Sequence, residues 1–218
     1  MHLHEAVLAG SPQGIAVLCV GAVGTAAGTA IGLRAMDYDH VPRVGMFSSA
    51  FFVVSLIHVP LGVTSVHLVL NGLVGLLLGW AAFPALLIAL LLQAVLFGHG
   101  GLLALGVNTL AMGLPAVASY YLFHRAVACR HDAVAFLAGC AAGAAGMLGA
   151  AFLMASALWM AGDAFELAAK AVFGFHLAVA VAEGLVTGSV VAFFRKVRPE
   201  MLTLPRAESS PVTECSNE

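Results

Sequence analysis

The stretch SLIHVPLGVTSVHLVLNGL, residues 55–73, places two histidines and one asparagine within an otherwise apolar part of the chain. The runs on either side of it are rich in apolar residues, and a membrane-spanning helix needs about 20 such residues. We expect one span to stop at Pro60 and the next to begin near Thr64. The polar side chains of this stretch would then enter a bundle of membrane helices.

The composition of the whole chain is that of an integral membrane protein. Of its 218 residues, 61% are hydrophobic and 9% are charged, and the mean hydropathy is +1.02. A soluble domain usually carries about 25% charged residues, so this chain cannot cover a water-facing surface. The formal net charge of −2 does not suggest a nucleic-acid partner. No basic segment precedes the first apolar run, so a cleaved signal peptide is not expected.

The distribution of apolar residues predicts an all-α bundle of about seven transmembrane helices. Six spans with one interfacial segment is the alternative, because closely spaced short spans can tilt or be re-entrant. We assign residues 1–198 to one transmembrane domain and residues 199–218 to a short polar cytoplasmic tail. The expected spans are approximately 15–33, 44–59, 64–80, 84–97, 102–122, 133–161 and 167–194.

The positions of the basic residues predict the orientation in the membrane. If the amino terminus is outside, the cytoplasmic segments after spans one, five and seven hold every Lys and Arg except Lys170. Such an excess of basic residues is typical of cytoplasmic loops. We therefore expect a multi-pass protein of the cell inner (plasma) membrane, with its carboxyl terminus in the cytoplasm. Five histidines then lie at or near the outer face, namely His2, His4, His58, His67 and His99.

His67 is the histidine with the strongest indication of a functional role. In a helix, the residues at steps of four after it share its face, and an ionisable residue inside a membrane is a functional candidate. The alternative is a histidine that forms a hydrogen bond with a neighbouring helix. The residues on the predicted face are Asn71, Gly75 and Gly79.

The amino-terminal sequence MHLHE supplies further nitrogen donors. The amine of Met1 and the amide nitrogen of His2 close a five-membered ring on a metal ion, and the amide and imidazole of His2 close a six-membered ring. The imidazole of His67 would complete a square-planar site, a geometry that suits Ni(II) and Cu(II). Deprotonation of the ligands makes such binding dependent on pH. The alternative for His2 is a solvated terminal residue.

Four more residues are candidates for an auxiliary role at this site. His4 could be an axial ligand, a capture site for the incoming ion or an exposed residue. His58 and His99 could each orient a ligand through a free ring nitrogen, or could be structural, and Asn71 shares the predicted face of His67. We expect no catalytic residues, because Walker A, GxSxG and HExxH motifs are absent from the sequence. This favours a binding subunit of a larger machine.

The sequence resembles the CbiM/NikM family, the substrate-binding subunits of energy-coupling-factor transporters for cobalt and nickel. The resemblance rests on the Met1-His2 start, on residues 55–73, on GWAAFP at 79–84 and on GVNTL at 106–110, and it extends to about Arg198. After the first two residues, LHEAV departs from the usual continuation of the family, which is Ile, an acidic residue, Gly and an aromatic.

The resemblance implies a seven-helix membrane subunit whose amino-terminal segment is inserted into the bundle, with the metal ion held by Met1, His2 and His67. It also implies partners, namely a transmembrane coupling subunit, cytoplasmic ATPases and often a small accessory membrane subunit. We therefore expect a substrate-capture subunit of an ATP-driven importer, with Ni(II) or Co(II) as the transported ion and no permanent cofactor. Two other classes stay open, a histidine-metal intramembrane enzyme and a structural membrane partner that binds no metal.

Overall fold

A computed structural model describes residues 3, 8–37, 41–56, 58–61, 64–162 and 165–202. Within these ranges the fold is helical except for one hairpin, of which only the backbone is described. Two short 3-10 helices are described, at Gly79–Ala81 and Pro199–Met201. The elements are α1 (Pro12–Arg34), α2 (Val41–Leu56), β1 (His58–Leu61), β2 (Thr64–His67), α3 (Asn71–Leu78), α4 (Ala82–Phe97), α5 (Leu105–Val127), α6 (Asp132–Ala161) and α7 (Glu166–Val197).

The described helices are apolar, as expected for a membrane protein. They do not form seven separate stretches that are each long enough to span a membrane. In the described ranges, α2 is apolar but has only 16 residues, and α3 and α4 together form one apolar stretch of 27 residues. Among the described helices, four stretches are long and apolar enough to cross a membrane by length and composition, namely Pro12–Arg34, Asn71–Phe97, Asp132–Ala161 and Glu166–Val197.

The predicted third span, 64–80, is wrong in its first part, which forms strand β2. This strand pairs antiparallel with β1, and His58 lies opposite His67 in the register. Helix α3 begins only at Asn71. His67 therefore does not share a helical face with the residues that follow it at steps of four, which are Asn71, Gly75 and Gly79.

The hairpin has a local chemical cause. Val59 and Val66 are β-branched and favour extended backbone, and Pro60 lacks the N–H group that a helix interior needs. Two residues separate the paired positions Leu61 and Thr64, a length that is common in hairpins. Hydropathy alone cannot detect this, because it counts apolar side chains whatever their backbone conformation.

Close approaches at glycine hold the helices together. In α1, a Cβ atom at Gly28 would lie 2.5 Å from the ring of Phe83, and in α6 a Cβ atom at Gly139 would lie 3.0 Å from the Cα atom of Gly188 in α7. Small residues are typical of such contacts between membrane helices. Glycines recur at steps of four in these helices, and the repeats mark helix contacts in the structure. They are Gly24, Gly28 and Gly32 in α1, and Gly139 and Gly143 in α6.

We expect Gly75→Ala to lower the melting temperature of the detergent-solubilised protein. A Cβ atom at Gly75 would lie 2.8 Å from the Cα atom of Ala116 in α5 and closer still to its carbonyl oxygen, and overpacking of this kind costs about 1–3 kcal/mol. Gly45→Ala is the matched control, because nothing lies within 4 Å of the added atom and alanine favours a helix by roughly 0.5–1 kcal/mol over glycine. Equal melting temperatures would contradict this packing.

One end of the bundle is organised by arginine, and we name it the arginine end. Near the end of α7, Arg195 donates to the Asp132 carboxylate at 3.0 Å, to the carbonyl oxygen of the last residue of α5 and to two carbonyl oxygens of the α5–α6 connection. Arg43, at the start of α2, donates to the carbonyl oxygen of Met201. Residues 199–202 of the predicted tail therefore pack here, whereas residues 203–218 lie outside the described ranges. Which side of the membrane this end faces stays a prediction.

Candidate metal centre

The expected amino-terminal ligands Met1 and His2, and the auxiliary candidate His4, lie outside the described residues. Leu3, between them, is described and is buried, with 5% of its surface exposed. Among the described side chains, no group of three or more His, Cys, Asp or Glu residues could hold a metal ion. The contacts that the structure gives near the predicted ligands are therefore those of residues close to them in the chain.

Leu3 is held inside the bundle by Asn108 of α5. The N–H group of Leu3 donates to Oδ1 of Asn108 at 2.9 Å, and Nδ2 of Asn108 donates to the carbonyl oxygen of Leu3 at 3.1 Å. One side-chain amide thus satisfies both backbone polar groups of this residue, as buried backbone requires. Asn108 is itself 2% exposed, so the contact lies in the bundle interior.

Asn71 fixes the start of α3 within the bundle. Its Nδ2 atom donates to the carbonyl oxygen of Gly146 at 3.0 Å and to that of Met112 at 3.5 Å, while its Oδ1 atom accepts from the N–H group of Gly72 at 3.0 Å. Gly146 lies near the middle of the 30-residue helix α6. Helix α3 is therefore a short helix that begins deep in the bundle, and the described contacts of Asn71 are structural.

Two residues of α5, which we call the anchors, contact Leu3 and the start of α3 and lie on neighbouring turns. Asn108, which holds Leu3, and Met112, which accepts from the start of α3, are four residues apart, or about 6 Å along the helix axis. His67 precedes the start of α3 by four residues, and His2 adjoins Leu3. Leu3 and the start of α3 are therefore both held along one short stretch of α5.

Glu183 of α7 is a residue that sequence reasoning missed. It is fully buried, and it lies near the middle of a 32-residue helix. Its two carboxylate oxygens accept from the N–H group of Leu70 at 2.8 and 3.0 Å, and one of them also accepts from the N–H group of Val69. The sequence contained a signal for it, because an acidic residue within a predicted span is rare and often functional.

The remaining auxiliary candidates lie in different places. His58 and His67 are register partners in the hairpin, so their backbones are adjacent. His99 lies in the loop after α4, where it is exposed and its ring centroid is 6.1 Å from that of Phe97. The described ring contact of His99 is thus with the end of α4 rather than with either anchor on α5.

A family model for the cobalt uptake substrate-specific transmembrane region, CbiM, matches residues 2–201. The chain belongs to the CbiM family. The match covers every described helix and the segment that contains Leu3, so the fold and the buried amino-terminal contact both lie within the family domain.

Relatives of this CbiM-family chain are named as transport proteins. A Haemophilus influenzae protein, provisionally named a metal transport protein, is 40% identical over 93% of this chain and 97% of its own length. The fused nickel transport protein NikMN of Rhodobacter capsulatus is 34% identical over 83% of this chain and 59% of that longer protein. The cobalt transport protein CbiM of Sorangium cellulosum is 33% identical over 76% of this chain and 78% of its own.

Solved structures of transition metal transporters share the fold. One superposes with a TM-score of 0.77 at 26% identity, covering 90% of this chain and 93% of the other. A truncated transition metal transporter gives a TM-score of 0.72 at 26% identity, covering 92% and 99%. The CbiM-family chain is accordingly a transport component rather than an enzyme, as its sequence predicted.

Proposed function

We propose that this chain is the substrate-capture subunit of an ATP-driven energy-coupling-factor importer for Ni(II) or Co(II) in the cell inner membrane. The ion is bound near the outer face in a square-planar site made of the Met1 amine, the His2 amide and imidazole, and the His67 imidazole. Separate cytoplasmic ATPases hydrolyse ATP, and a transmembrane coupling subunit connects them to the capture subunit. A small accessory membrane subunit accompanies many such assemblies.

The observation that supports this proposal best is the pairing of Leu3 with Asn108. A terminal segment is usually frayed, whereas here both backbone groups of residue 3 have partners in a buried position. The proposed nitrogen donors of the first two residues directly precede this buried contact in the chain, which supports a site in the bundle interior. Asn71, four residues after His67, donates to a carbonyl oxygen on the next turn of α5, which supports a common site for both segments.

The choice between the two metals rests on the coordination geometry. Nitrogen ligands in one plane suit Ni(II) and also Cu(II), while the relatives include proteins named for nickel and for cobalt transport. Planar geometry favours Ni(II) over Co(II). Metal analysis of the purified protein, with its amino terminus unmodified, identifies the ion directly.

Asn108→Leu is the experiment that tests the proposal at its supporting contact. We expect the wild-type protein to bind Ni(II) or Co(II) in calorimetric titrations in detergent, and the variant to bind about tenfold or more weakly. Leucine is close to asparagine in size but leaves the Leu3 backbone groups unpaired in a buried place, which destabilises that placement.

The matched control is Ser119→Ala in the same helix. Ser119 is buried and donates to the carbonyl oxygen of Ala142 at 3.2 Å, so its removal also deletes a buried hydrogen bond of α5. We expect this variant to keep the affinity of the wild-type protein. A wild-type protein that binds neither metal would reject the proposed function, whereas unchanged affinity in Asn108→Leu would reject the role of the anchor.

A further inference from the structure

We propose that Glu183 is a positioning residue for metal capture, which holds the connection between β2 and α3 so that His67 is presented to the ion. The inference rests on the proposed function, because it concerns the same site. It gives α7 a part in that site, although α7 contributes none of the expected ligands.

The contacts of Glu183 lie at the connection itself. Residues 68–70 belong to neither a helix nor a strand, so the N–H groups of Val69 and Leu70 need partners from elsewhere in the chain. The carboxylate supplies them, with distances of 2.8 and 3.0 Å to the nitrogen of Leu70. Both N–H groups point to a side chain that is fully buried, so water cannot readily replace it.

A carboxylate suits this place for an electrostatic reason. Helix α3 begins at Asn71, and the free N–H groups at the start of a helix carry partial positive charge, which favours an anion beside them. No ion pair with Lys or Arg is seen for Glu183 among the residues described. The hydrogen bonds described for the buried carboxylate come from the N–H groups of Val69 and Leu70, directly before the start of α3.

The backbone at this connection also needs external support. Leu70 has φ 53° and ψ 22°, the left-handed conformation, which is unfavourable for a residue that is not glycine and persists when the surroundings hold it in place. This residue turns the chain from the hairpin into α3. A change in the contacts that hold Leu70 would therefore alter the direction of β2 relative to α3. Strand β2 ends at His67.

Glu183→Gln removes the charge and one acceptor with little change in size. The amide keeps one oxygen, but its nitrogen cannot accept from an N–H group, so the connection loses part of its support. We expect Ni(II) affinity to fall about 10–100-fold, the usual effect of losing a group that orients a ligand. The absorption spectrum of planar Ni(II) should persist at saturating metal, because the ligands themselves are unchanged.

A second measurement does not depend on metal. In the metal-free Glu183→Gln protein, we expect faster amide hydrogen exchange in a peptide that covers residues 64–72 than in the wild-type protein. Thr187→Val is the matched control, since Thr187 lies one turn further along α7, is fully buried and has no hydrogen-bond partner for its hydroxyl group within the described structure. This variant should retain both the wild-type affinity and the wild-type exchange rate.

Several results would overturn the inference. These are unchanged affinity or unchanged exchange in Glu183→Gln, an equal loss in Thr187→Val, or disappearance of the planar spectrum at saturating metal. Failure of the wild-type protein to bind either ion is a different outcome, which rejects the proposed function and with it the role of Glu183 in metal capture. The exchange rates then still report whether the carboxylate holds the connection.

Discussion

Blocking the amino terminus is expected to abolish high-affinity binding of Ni(II) or Co(II). In the proposed site the Met1 amine and the His2 amide form one chelate ring, and the same amide and the His2 imidazole form the next. An acylated amine has no free lone pair for a metal, so the first ring cannot form. The ion would keep separate imidazole ligands without the planar arrangement that suits Ni(II).

The amino terminus is best blocked by adding two residues before Met1. One added residue would put the histidine third in the chain, where an amine, two amides and the imidazole can close a planar four-nitrogen site without His67. The matched control carries the same two residues after Glu218. Calorimetric titration of both proteins with Ni(II) measures the effect, and full affinity in the amino-terminal extension would exclude the amine as a ligand.

His67→Ala is expected to have the next largest effect. It removes the imidazole that completes the square plane, so its cost should exceed the roughly 10–100-fold that follows loss of an outer partner. His99→Ala is the comparison, because His99 is exposed and contacts Phe97. Titration and the visible spectrum of bound Ni(II) measure both variants. Equal losses of affinity would remove His67 from the ligand set.

The contacts between helices were largely predictable from the sequence, whereas the hairpin was not. Glycines at steps of four on one helix face require close neighbours wherever the helix lies in a bundle, and Gly28 and Gly139 have such neighbours. Residues 64–67 directly precede the long apolar run that continues to residue 80, so hydropathy extended a helix through them. The β-branched residues and Pro60 favour an extended backbone rather than a helix. A hydropathy average does not detect this, because it does not consider backbone preference.

The sequence predicts a set of metal ligands, but it did not predict the contacts of Asn108 and Glu183. Chelate geometry and the family resemblance indicated Met1, His2 and His67, and this ligand set stays a prediction. Asn108 and Glu183 could not be assigned their roles, because each binds backbone groups of a segment distant in sequence. A polar residue within a span shows that it needs a partner, but only the tertiary structure shows which partner it has.

Two of the described non-helical stretches, at Leu3 and at residues 68–70, have a consequence for evolution of the chain. A helix satisfies its own backbone, so most of its residues can be exchanged for others of similar size without leaving polar groups unpaired. The segments at Leu3 and at residues 68–70 depend on individual side chains, Asn108 and Glu183. Among the helix positions, a library of all single substitutions should therefore be most depleted at these two, even though neither of them is proposed to touch the metal.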